Sequence, residues 1–187
     1  CHLLIALDHC ILDTDEMLRL RRETADAAAI NMENISITLS HTHGSGWMSR
    51  SRGDLAGGEL IGPYLDRLAE QFQELARSAR DTLAPATITY GLGRCALAAH
   101  RDLWDEDAGR FVCGFNPDGP ADDTLLIGRI TDDCGKTRGV IVNYACHPTT
   151  LAWDNKAISP DYVGAMRATI QQSTDAPALF MLGACGE

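Results

Sequence analysis

Two short apolar runs, LLIALD (residues 3–8) and ISITLS (35–40), bracket a stretch of helix-forming composition, DTDEMLRLRRETADAAA. That stretch carries its acids first and its arginines later, the order a helix favours. A nearly continuous apolar run suits a strand buried on both faces, and parallel neighbours need a crossover of this size. The spacing predicts a strand–helix–strand unit with parallel strands, which points to the α/β class.

The rest of the chain extends this reading. In GELIGPYLDRLAEQFQELARSARDTL, residues Leu65, Leu68, Phe72, Leu75 and Ala79 recur at three and four, predicting an amphipathic helix over 60–81 with Pro63 in its first turn. ATITYGLG (86–93) reads as a strand ended by glycine. Turn signals follow at Asp107-Ala108-Gly109, Asn116-Pro117 and Asp118-Gly119-Pro120, and the acids Asp102, Asp105, Glu106 and Asp107 read as a solvated loop. TLLIGRITDDCGKTRGVIVNYA predicts a hairpin over 124–145, residues 160–171 a short helix, and ALFMLG (178–183) a last strand. The expected fold is α/β: a mostly parallel or mixed central sheet with helices packed on it. GLGRCA (91–96) fits a dinucleotide fingerprint in letters only, because no convincing helix opens there.

With 187 residues the chain is expected to form one domain over 1–187. Both ends read as core strands, so the expectation is an internal piece of a longer chain. A net charge of -10 argues against a nucleic-acid footprint. No apolar run of about 18 residues or more predicts a membrane span. The seven cysteines contain no C-x-x-C pair, which argues against a structural zinc knuckle and leans toward a reducing, cytoplasmic setting.

Function concentrates in SHTHGSGW (40–47) and VNYACHPTTLAWDN (142–155). His41 and His43 lie at or just past the carboxyl end of a strand, where open α/β sheets bind ligands. Two apart in an extended segment, they face one cavity. His147 also follows a strand directly, and Pro148 restrains its backbone. Neutral imidazoles at such ends suit zinc, their second nitrogens meeting carbonyl or carboxylate partners, with Asp8 and Asp161 as candidates. A strand-end histidine is more commonly a hydrogen-bonded surface or core residue; three at two strand ends leave the two readings level. Arg101 is either a surface ion pair or a cationic fork in a pocket.

SHTHGSG, NYACHPTTL and the terminal LGACGE, in this order, resemble the amino-terminal catalytic domain of the neutral/alkaline non-lysosomal ceramidases. The resemblance implies one zinc ion that activates water for amide hydrolysis, with His41 and His147 as metal ligands. It implies catalytic roles for His43 beside the reacting carbonyl and for Arg101 facing the substrate. The family's other ligands, a glutamate and a tyrosine, come later than this chain reaches. The implied substrate is a small or lipid-like N-acyl compound such as N-acylsphingosine, and the implied location is secreted or periplasmic, against the cysteine content. Two departures stand out: Gly44 replaces the serine of HTHSGP, and Glu187 replaces an aspartate just before the catalytic serine segment. They leave open a same-fold hydrolase of a non-lipid amide or ester, and a binding protein with a degenerate site. The sequence carries no signal for oligomeric state.

Overall fold

The computed structural model describes residues 1–186 and divides the chain into two compact units. The first comprises Cys1–Pro85 with Trp153–Pro160; the second comprises Ala86–Ala152 with the residues from Asp161 on.

In the first unit, β1 (Leu3–Leu7) and β2 (Ile35–Leu39) pair in parallel, with Leu3 opposite Ile35 and Leu7 opposite Leu39. The crossover between them is α1 (Thr14–Ala28), as the strand–helix–strand spacing requires. Asp13 caps it in an extended conformation, Asp15 and Glu16 occupy its first turn, and Ala29 ends it in the left-handed region. The long helix α2 (Ile61–Asp81) packs beside α1, and their core is Leu12, Leu20, Leu65, Leu68, Ala69 and Phe72. Ile5, Leu7, Ile37 and Leu39 of the strands pack against the same cluster. The buried face of α2 differs in part from the expected one: it runs through Leu65, Leu68, Ala69, Phe72 and Ala76, while Leu75 is exposed. The true period of 3.6 rotates a face away from a strict seven-residue count within three turns. Leu65 is fully buried, so its truncation to alanine costs about 2–5 kcal/mol.

Polar ties fix the helices laterally. The buried Glu16 carboxylate accepts from Arg19 and, at 3.0 Å, from Arg50 Nε; Arg50 Nη2 reaches Asp66 on α2 at 2.6 Å. Burying a carboxylate is costly unless partners of this kind satisfy its oxygens.

The second unit contains a four-stranded mixed sheet in the order β3 (Thr87–Arg94), β6 (Thr124–Thr131), β7 (Thr137–Tyr144), β8 (Ala178–Leu182). The β6–β7 hairpin is antiparallel, as its turn predicted, and β7 and β8 are parallel through the crossover helix α3 (Asp161–Thr174). Val140, Val142, Tyr144, Val163, Ala178 and Phe180 form its core. GLGRCA runs along the end of β3 and opens no helix.

The acidic stretch read as a loop is instead a hairpin, β4 (Asp102–Asp105) with β5 (Arg110–Cys113). Its cross-strand pair Trp104–Phe111 meets edge to face at 5.2 Å between centroids, the contact that outweighs the poor strand propensity of aspartate. Tyr144 ties the end of β3 to β7: its hydroxyl donates to the Cys95 carbonyl at 2.6 Å and accepts from Ala98 N–H at 2.8 Å. Among the described residues, no helix is long and apolar enough to cross a membrane.

Candidate metal centre

In the first unit the parallel ladder carries on past its strands. Ser40 N–H donates to the Leu7 carbonyl and His41 N–H to the His9 carbonyl, each at 2.9 Å. The register that pairs Leu7 with Leu39 thus sets His9 beside His41, directly beyond the carboxyl ends of β1 and β2. There His41 adopts φ +61°, a left-handed conformation that costs a residue with a Cβ about 1–2 kcal/mol. Such strain is typical of positions whose side-chain direction matters.

The His41 ring is half-buried, and its Nδ1 lies 3.0 Å from the Cys10 carbonyl oxygen. A carbonyl only accepts, so Nδ1 carries the proton and the lone pair resides on Nε2. That is the arrangement of a metal-ligating histidine, whose other nitrogen is held by a carbonyl or carboxylate. His43, exposed, stands edge-on to His41 with ring centroids 5.2 Å apart.

Gly44 is set by crowding. A Cβ there would stand 2.5 Å from the Ser159 carbonyl oxygen, which accepts from Thr42 Oγ1 at 2.7 Å, while Ser159 N–H donates to the Gly44 carbonyl. The segment 153–160 therefore crosses the histidine loop too closely for the serine that the family pattern carries at this position.

His147, in the second unit, shows the same second-nitrogen contact. It follows β7 by three residues, is half-buried, and has Nδ1 3.0 Å from the Cys185 carbonyl beyond the end of the parallel neighbour β8. Its Nε2 is likewise the lone-pair nitrogen. For each ring the Nδ1 partner is a main-chain carbonyl, one of the two kinds the sequence suggested, and not the carboxylate of Asp8 or Asp161. Asp161 holds the loop after His147, accepting from Thr150 Oγ1 at 2.6 Å and from Leu151 N–H at 3.2 Å. Arg101 stands half-buried just before β4, where its carbonyl accepts from Gly114 N–H at 2.7 Å at the root of the β4–β5 hairpin. The Glu187 departure lies outside the described residues.

The structure adds a residue that sequence reasoning passed over. Cys10, His41 and His43 form a candidate metal-binding cluster, their donor atoms all within 4.8 Å of one another. Cys10 Sγ is 3.7 Å from His41 Nδ1, and burial pushes its thiol above the ordinary range. Next to it, burial holds His9 below the usual imidazole value, with Asp8 opposing. Its Nδ1 and the Ser40 hydroxyl are buried without a hydrogen-bond partner among the described residues. Orphaned polar atoms of this kind commonly mark a bound water or ion. Imidazole and thiol together suit zinc.

No family model matches the sequence, and no curated protein matches it. Solved structures do. A ceramidase complexed with C2 superposes with a TM-score of 0.65 at 20% identity, covering 89% of this chain. The chain has the fold of part of a ceramidase. The neutral ceramidase from Pseudomonas aeruginosa gives a TM-score of 0.62 at 21% identity, again over 89% of the chain. The match spans 27% and 28% of those two chains, respectively. At this identity the ceramidase likeness is one of fold.

Proposed function

We propose that the full-length protein is a zinc-dependent hydrolase of amide bonds, ceramidase-like, acting on an N-acyl substrate. The observation that carries this reading is the repeated second-nitrogen contact: His41 and His147 each donate Nδ1–H to a main-chain carbonyl at 3.0 Å. Each ring thereby offers Nε2 to a metal, and the two are the proposed ligands. The ceramidase fold and the Cys10–His41–His43 cluster are consistent with it.

Zinc, when bound, supplies a water of near-neutral pKa and polarises a carbonyl. The chain's own residues supply orientation and proton handling. The Cys10 and Cys185 carbonyls fix the tautomers of the two ligand rings, so neither need reorganise during turnover. His43, exposed beside His41, is the group proposed to donate a hydrogen bond to the developing oxyanion or to move a proton to the leaving nitrogen. Arg101 is proposed to hold a polar group of the substrate as a planar cationic fork.

The test is turnover of a panel of N-acylated amines, lipid and non-lipid, by the full-length protein with and without a chelator. The proposal expects amide cleavage that chelation abolishes and zinc restores. His43→Ala should lower kcat by about 10²–10⁴-fold. Turnover indifferent to chelation would contradict the mechanism. Stoichiometric zinc with no cleavage of any amide or ester would point to a binding protein on the same fold.

A further inference from the structure

We infer that β3 is the seam of a homodimer, pairing antiparallel with β3 of a second copy about a two-fold axis at Gly91. The inference concerns the second unit alone and does not depend on the metal reading. β3 is an edge of the mixed sheet, hydrogen-bonded to β6 on one side. All eight of its residues are exposed, Tyr90 to 70% and Leu92 to 78%. Its outer rim therefore presents a row of main-chain N–H and C=O groups to a further strand.

Edge strands ordinarily carry devices against such pairing: a lysine, a proline, a bulge or a very short length. β3 has none of them. It runs eight residues in continuous register with β6, from Thr87 opposite Thr131 to Arg94 opposite Thr124. Its charge is Arg94, at the end of the strand, and that guanidinium already donates to both Asp123 carboxylate oxygens at 2.9 Å. Glycine inside a strand marks a bulge, a bend or the close approach of another backbone. Gly91 and Gly93 sit in an unbroken ladder, and a Cβ at Gly91 would meet nothing within 4 Å. The space beside Gly91 is open to a second backbone.

Any strand could use that row of donors and acceptors; the side chains single out a second copy. Opposed residues of paired strands share a face, so two-fold pairing matches even positions with even and odd with odd. With the axis at Gly91, Tyr90 lies opposite Leu92 of the second copy, and Leu92 opposite Tyr90 of the second copy. Aromatic–aliphatic pairs of this kind stabilise sheets. Ile88 meets the aliphatic stem of Arg94 of the second copy, and Thr89 meets Gly93. The two Arg94 side chains lie at opposite ends of the seam, so no like charges face each other. On the other face, a groove of about 530 Å³ runs along β3 and β6 beside Gly91 and Gly93. Thr89 of the second copy projects on that side. Pairing joins two four-stranded sheets into one and satisfies the free rim of both copies.

The experiment is sedimentation velocity of the full-length protein over a dilution series, with amide hydrogen exchange measured at each concentration. The inference expects a monomer–dimer equilibrium in which the β3 amides gain protection as the dimer forms. Leu92→Lys, at an exposed position, should leave the monomer folded and weaken the dimer by about tenfold or more, since it removes both Tyr90–Leu92 pairs. Ile158→Lys, at an exposed position of the first unit, should leave the dimer unchanged. A monomer at every concentration overturns the inference; if its β3 amides are protected even so, another segment of the same chain covers the edge. A dimer whose β3 amides exchange as they do in the monomer, or one that Leu92→Lys leaves intact, forms elsewhere and overturns the seam. The exchange measurement uses the unsubstituted protein, so it decides the matter even if Leu92→Lys fails to fold.

Discussion

His147 Nδ1 and the main-chain carbonyl of Cys185 lie 3.0 Å apart, so a loop beyond β8 fixes the tautomer of a side chain beyond β7. The hold is through the backbone and is independent of the Cys185 side chain. Cys185→Ala should therefore leave metal affinity within about twofold, whereas loss of a side-chain partner at such a position costs about 10–100-fold. Competition with a chromophoric chelator measures this directly.

The left-handed backbone of His41 gives a second expectation. Glycine adopts φ +61° without the Cβ penalty, so His41→Gly should be more stable than His41→Ala by about 1 kcal/mol. Urea unfolding of the two metal-free variants compares them, and equal midpoints would remove strain from the account.

Gly44 should not tolerate the family's serine. A Cβ at 2.5 Å from the Ser159 oxygen forces the backbone of one segment to move, and such overpacking costs about 1–3 kcal/mol. Gly44→Ser and Gly44→Ala should lower stability alike, since the clash begins at Cβ. Thermal unfolding would show it, and a fully stable serine variant would refute the close approach.

Tyr144 sets an alkaline limit. Burial, followed by its hydrogen bond with Cys95, pushes its phenol from 10.0 up to about 12. The unfolded chain thus loses this proton at lower pH than the folded one. The stabilisation is fully present below pH 10 and disappears as pH rises toward about 12. Tyr144→Phe strands the Cys95 carbonyl and the Ala98 N–H, costing about 1–3 kcal/mol near neutrality, and it should shrink the alkaline loss. Unfolding curves across that range measure both effects.

Much of this architecture was legible in residue order. Apolar runs marked β1 and β8, the β-branched alternation of ISITL marked β2, and the three-and-four recurrence marked α2, because burial leaves such traces in a sequence. Both histidine motifs lie at strand carboxyl ends, as their positions after ISITLS and GVIVNYA implied. The β4–β5 hairpin was hidden because its stability lies in one aromatic pair across two four-residue strands rich in charge. Cys10 was hidden for a different reason: beside Ile11 and Leu12, a cysteine outside any C-x-x-C pair looks like a small hydrophobe. Its link to His41 depends on strand register. Leu3 opposite Ile35, continued past the strand ends, sets His9 beside His41 and so brings Cys10 to the ring. The close crossing of Gly44 by Ser159 joins residues far apart in sequence, and no local pattern announces it.

The most direct measurement is the zinc content of the purified full-length protein, wild type beside His41→Ala and His147→Ala, by elemental analysis after exhaustive dialysis. The account predicts about one zinc per wild-type chain, the stoichiometry of a mononuclear catalytic site, and marked loss in each variant. A folded wild-type protein that retains no zinc, or variants that hold as much as the wild type, would contradict it.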